Sequence, residues 1–192
     1  MKRVTILLTA LFFASLISLP PNVSAADSPL AQVHATINDV LAILQTNAAD
    51  KPALISQAIQ PRFDFEKMAQ LVLHRYWEKQ NESDRREFMH LFAKLLEKTY
   101  ISKICLYSAP KVFYVRERQR GDKAEVDTRI EVAGNTNIMV SYRLHIDKNE
   151  WKIYDVNVEG VSLVRNYRTQ LASVLQHNDF QALLDMIKKK VS

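Results

Sequence analysis

In the stretch WKIYDVNVEGVSLVRNYRTQ (151–170), Asp155 and Glu159 stand four residues apart. If the preceding alternation is a strand, both carboxylates leave the same face with Asn157 between them. Trp151 and Ile153 would share that face, with Tyr154, Val156 and Val158 on the other. Paired acids of this kind could do proton work if burial raised one pKa. Asp127, in a second alternating run, is a further candidate for a general acid or base. The same row reads equally well as the solvated side of a half-buried sheet, paired with Arg143 or Arg168.

Other chemistries lack a frame. His34, His74, His90, His145 and His177 form no H-x-H or H-x-x-x-H pair, and no cysteine pattern accompanies them, so no metal site is expected. Three glycines, none in a suitable pattern, supply neither a phosphate loop nor a G-x-S-x-G elbow. The single cysteine, Cys105, cannot form an internal disulfide. Its apolar helical context suits a buried small hydrophobe better than a nucleophile.

The elements that would position these groups change character along the chain. No glycine occurs before Gly121, and apolar residues recur at helical spacing through Tyr107. Leu30, Val33, Ile37, Val40, Leu41 and Leu44 mark one face of a first helix. A second begins at Pro52 and ends at Pro61. Asp64 would cap a third, carrying Met68, Leu71, Val72 and Tyr76. Ser83 would cap a fourth, carrying Phe88, Leu91, Phe92, Leu95, Leu96 and Tyr100.

Beyond this point the period drops to two. Strands are expected over 111–118, 125–132, 138–146 and 151–159, separated by turns at 120–123, 133–136 and 147–150. Ser162 would cap a fifth helix holding Leu163, Val164, Tyr167, Leu171, Val174 and Leu175. A last short helix from about Asp179 holds Leu183, Leu184 and Ile187. The class is therefore α+β: a four-stranded antiparallel meander with one apolar face, covered by N-terminal and C-terminal helices.

The N-terminus has the features of a secretory signal. Lys2 and Arg3 precede an apolar run over 4–19, Pro20 and Pro21 break it, and Val23-Ser24-Ala25 offers a cleavage site. Cleavage after Ala25 would leave 26–192 as one domain, helical to about 107, sheet over 111–159 and helical again over 162–191. Loss of Lys2 and Arg3 takes 26 basic and 21 acidic side chains to 24 and 21, a net +3. That charge is mild, and an exported chain without a dense basic tract is not expected to meet nucleic acid.

Two stretches carry a resemblance. FDFEKMAQLVLHRYW (63–77) and DVNVEGVSLVRNYR (155–168) are similar to the MlaC family, also called toluene-tolerance auxiliary proteins. His74 departs from that pattern, standing where glycine is usual, and Leu171 stands where an aromatic is common. The resemblance implies a nuclear-transport-factor/cystatin-like sheet with a helical cover, and no cofactor, metal or catalysis. It implies a periplasmic phospholipid-binding shuttle of the Mla system, which maintains outer-membrane lipid asymmetry. Its implied partners are an outer-membrane lipoprotein–porin complex and the MCE-domain subunit of an inner-membrane ABC transporter. A carrier alternating between two partners is expected to be monomeric.

An acyl-chain cavity would lie between the apolar sheet face and the helices facing it. On the sheet the expected lining is Val126, Thr128, Ile130, Val140, Tyr142, Leu144, Val156 and Val158. On the helices it is Met68, Val72, Phe92, Leu96 and Tyr100. Each of these positions also suits ordinary core packing. Arg143, Arg165 and Arg168 are candidates for head-group or partner contact, with ion pairs to Asp155 or Glu159 as the alternative. An enzyme of the same superfold, using Asp155 or Asp127, is the competing reading.

Overall fold

The structure, a computed structural model, describes residues 28–107, 109–134 and 136–192. The expected signal peptide lies outside the described residues.

Helix α1 (Pro29–Gln45) is capped by Ser28, whose Oγ accepts from the Ala31 amide at 3.0 Å. Helix α2 (Lys51–Ile59) runs into a single 3₁₀ turn, Gln60–Arg62. Asp64 caps α3 (Phe65–Leu73) by accepting from the Lys67 amide at 2.7 Å. Helix α4 (Glu82–Ile104) starts earlier than expected. Asn81, not Ser83, accepts the first free amide, from Asp84 at 2.9 Å. Asparagine caps as well as serine, so the first suitable side chain takes the place.

Between α3 and α4 the chain makes a 3₁₀ segment, His74–Lys79, and its first residue has an unusual backbone. His74 sits at φ 49°, ψ −118°, a conformation glycine adopts at no steric cost and histidine only under strain. Because the His74 side chain is exposed, His74→Gly is expected to raise stability by about 1 kcal/mol. The urea midpoint should rise with an unchanged slope; a fall would mean that the imidazole contributes more than the strain removes.

Strands β1 (Lys111–Arg120), β2 (Lys123–Val132), β3 (Thr136–Asp147) and β4 (Glu150–Val158) form the antiparallel meander. A fifth strand, β5 (Val161–Ser162), extends the expected four. It forms because Glu159 and Gly160, at φ 50° and 82°, make a two-residue hairpin that folds Val161 back onto Val158. Helices α5 (Leu163–Leu175) and α6 (Phe180–Val191) complete the chain, capped by Ser162 and Asp179.

The β3–β4 pairing slips by one residue at a bulge. Arg143 pairs with Asp155, but the next residue, Leu144, pairs with Ile153, leaving Tyr154 extra. The slip inverts the phase of β4 upstream of the bulge. Trp151 and Ile153 therefore share the apolar face with Val156 and Val158, and not with Asp155 as strict alternation predicted. Asp155 points to the opposite face.

The core has two parts. One is helical and includes Met68, Phe88, Phe92, Tyr167, Leu183 and Leu184. The other lies on the sheet and includes Val33, Ala124, Val126, Val140, Leu144, Trp151, Ile153 and Val156. Phe63 packs against both. The segment holding it is tied to β4 by the Asp64 amide donating to the Ile153 carbonyl at 2.9 Å, and to β3 by His145 Nε2 lying 2.7 Å from Asp64 Oδ2.

Candidate functional site

The carboxylates that raised the question of catalysis are structural. Asp155 is 3% exposed. Its Oδ1 accepts from the Val164 amide at 3.1 Å, and its Oδ2 from the Ser162 hydroxyl at 2.7 Å and Arg143 Nη1 at 3.4 Å. Ser162 Oγ in turn accepts from the Arg165 amide at 3.0 Å. Asp155 thus fastens the sheet to the amino end of α5, where the helix dipole favours a negative charge.

Asp127 lies on the same outer face, its Oδ2 3.2 Å from both Arg116 Nε and Arg118 Nη2. Its Oδ1 is buried and has no hydrogen-bond partner among the described residues. Glu159 accepts from the Met139 amide through its side chain. The three arginines are likewise engaged or remote. Arg143 pairs with Asp155 and Glu125, and Arg168 Nε donates to the Leu71 carbonyl at 2.7 Å. The Arg165 side chain is exposed, and none of the three lines the cavity described next.

On the other side of the sheet the apolar face and the helices do not close on each other. Between them lies a cavity of about 510 Å³, within the roughly 300–1,000 Å³ typical of small-molecule sites. Of the expected lining residues, Met68, Leu96, Tyr100, Ile130, Val140, Tyr142, Val156 and Val158 border it.

Val72, Phe92, Val126, Thr128 and Leu144 do not. Val72 and Phe92 point into the helical cluster, and Val126 and Leu144 into the part of the sheet that α1 covers through Val33. Thr128 is fully buried and donates its hydroxyl to the Val140 carbonyl at 3.2 Å.

A larger contribution comes from positions not expected as lining from the sequence. Val33, Ile37, Val40, Leu41 and Leu44 of α1, Ala93, Ile101 and Ile104 of α4, and Phe63, Ile138 and Ile153 all line the cavity. The signal for α1 was present, since those residues formed its apolar stripe. Periodicity marks such a stripe as inward-facing but cannot show whether atoms or space lie opposite it. Among the described residues, Glu97 and Lys103 are the charged side chains on the wall. Gln60, Lys103, Tyr107 and Val161 are both lining and exposed, and mark where the cavity meets solvent.

Two phenols belong to the wall. Burial pushes Tyr142 up to about 12, opposed by a hydrogen bond with Thr128, and burial pushes Tyr100 up to about 12 with help from the neighbouring Tyr167. Both are neutral hydroxyls at physiological pH.

A family model described as "MlaC protein" matches residues 30–189, most of the chain. This is a member of the MlaC family. The member's sequence is 22% identical over 144 residues to the intermembrane phospholipid transport system binding protein MlaC of Haemophilus influenzae. That match covers 72% of this chain and 67% of the relative. The MlaC fold is also similar to a solved phospholipid-binding protein from Ralstonia solanacearum in complex with a phospholipid. The TM-score is 0.76 at 24% identity, covering 84% of this chain and 95% of that one. The likeness shows that the two share the fold, a helix-covered antiparallel sheet.

Proposed function

We propose that this MlaC-family protein is a periplasmic carrier that binds a glycerophospholipid with its acyl chains in the cavity between α1, α4 and the sheet. The observation that carries this reading is the cavity, a space of about 510 Å³ whose wall is almost wholly apolar. Each methylene moved from water into such surroundings gains about 0.8 kcal/mol, so a diacyl lipid with about 30 of them would cost more than roughly 20 kcal/mol to expose. A carrier must match the interior of a bilayer, and aliphatic walls from helices and sheet do so. The names of the H. influenzae and R. solanacearum relatives support the same ligand.

The site asks for binding alone. Asp155 and Asp127, the carboxylates of the enzyme reading, lie across the sheet from the cavity and are committed to arginines and amides. The apolar leader over 1–25 supports export. In the periplasm a soluble carrier of this family would exchange lipid with an outer-membrane lipoprotein–porin complex and with the MCE-domain subunit of an inner-membrane ABC transporter.

Native mass spectrometry of the exported protein, purified without detergent, is the direct test. A mass excess of one phospholipid, released on denaturation, is expected. A bare mass, with no uptake from added phospholipid vesicles, would sink the carrier reading.

A further inference from the structure

The sheet floor of the cavity narrows from one end to the other. At its widest, Val112, Ile130 and Ile138 stand in register on β1, β2 and β3, and all three line the space. In the next row Val140 and Val158 line it and Thr128 does not. In the row after, Tyr142 and Val156 line it and Val126 does not. Ile153 then lines it without its neighbour Leu144, and Trp151 beyond it no longer takes part.

The wide end is open and the narrow end is packed. Val161, exposed and lining, pairs with Val158, and exposed Tyr107 lies four residues before β1. At the other end Val33 of α1 packs with Val126, Leu144 and Trp151 in the sheet core.

Tyr142 is the last lining residue on β3, since Leu144 is fully buried. It is also the odd one out. Among the described residues, every other strand residue on the wall is valine or isoleucine. One large ring therefore rises from a floor of short branched side chains where that floor narrows. The ring is held in place, because its hydroxyl shares a hydrogen bond with Thr128 and Thr128 donates to the Val140 carbonyl at 3.2 Å.

Resting on the carrier reading, we infer that Tyr142 is the stop that sets the length of acyl chain the protein accepts. A chain lies along the floor from the open end, and its terminal methyl meets the phenol ring. Ile138 to Tyr142 is four residues, about 13 Å of strand at about 3.3 Å each. A zigzag hydrocarbon with bonds of about 1.5 Å advances about 1.3 Å per carbon, so that floor receives about ten carbons. A bilayer covers every methylene, so each one the protein leaves in water lowers its share of the lipid about fourfold.

The test offers lipid-freed full-length exported protein mixed vesicles of phosphatidylcholines. Each lipid carries two identical monounsaturated chains, graded in two-carbon steps. Bound lipid is extracted and its composition is compared with that of the vesicles by mass spectrometry. Wild-type protein should follow the vesicle composition up to a cut-off length and fall at least about tenfold at the next step. Tyr142→Ala should move the cut-off at least one step longer, and Tyr142→Trp at least one step shorter. Tyr142→Phe keeps the ring and should keep the cut-off. A thermal melt of each variant identifies folded protein, and if Tyr142→Ala does not fold, Tyr142→Trp decides.

A cut-off unmoved in the folded variants, or moved equally by Tyr142→Phe and Tyr142→Ala, would overturn the assignment of the stop to the ring. Wild-type loading that follows the vesicle composition at every length would overturn it too, and would mean that long chains leave past Gln60. Gln60 is exposed and lining, and the adjoining Pro61 carbonyl is tied to Lys152 at the narrow end at 2.9 Å. All these outcomes leave the carrier standing. Loading of no lipid by wild type would overturn both.

Discussion

Phe92→Ala is expected to destabilise the lipid-free protein by about 3–5 kcal/mol, the usual cost of removing a fully buried aromatic ring. Phe92 has no exposed surface, stacks on Phe88 with ring centroids 5.6 Å apart and meets Tyr167 edge-on at 5.3 Å. Helices α3, α4, α5 and α6 all contribute to the cluster around it, so the void has no flexible neighbour to fill it. Urea unfolding should show a lower midpoint with an unchanged slope. Lipid-free protein is required, because a ligand bound to the native state alone adds stability of its own. A loss below about 1 kcal/mol would mean that this part of α4 faces open space.

One residue further along the same helix the opposite consequence is expected. Ala93 lines the cavity and is only half-buried. Ala93→Trp should place an indole in space that acyl chains would fill, lowering phospholipid occupancy by at least about tenfold, an affinity loss of about 1.4 kcal/mol. Its effect on the urea midpoint should be small, because no packed neighbour has to move. Overpacking a filled core, by contrast, costs about 1–3 kcal/mol. Vesicle loading followed by native mass spectrometry reads the occupancy. Full loading of a folded Ala93→Trp protein would show that the lipid sits elsewhere. Together the two variants separate what holds the protein together from what it holds.

The helices and the meander were legible because their signals are local. Ser28, Asp64, Ser162 and Asp179 each accept an amide three residues on, and the period of apolar residues changes after Tyr107. The facing of β4 was not legible. The bulge at Tyr154 is a property of the β3–β4 pairing, and nothing in the β4 sequence marks it. It moved Ile153 onto the cavity wall and Asp155 away from it, so the apparent acid row dissolved.

The cavity itself was legible only as an inventory of apolar residues. Whether Val72 and Phe92 or Val40 and Ala93 border it depends on the angle between helix and sheet, a tertiary quantity without a signature in spacing.

The division of the core into a helical part and a sheet part, with the hollow between them and Phe63 touching both, bears on how such a protein can change over generations. Folding depends on side chains such as Phe88, Phe92, Val126 and Leu144, which do not border the cargo space. Wall residues such as Val40, Ile104 and Ile138 can lengthen, shorten or branch with little threat to the fold, and each exchange reshapes the volume on offer. Met68, Val33, Val140, Ile153 and Val156 serve both the core and the wall. Cargo preference and foldability therefore answer to partly separate sets of positions, and it is at the half-buried wall that a lineage can explore new lipids without first acquiring spare stability.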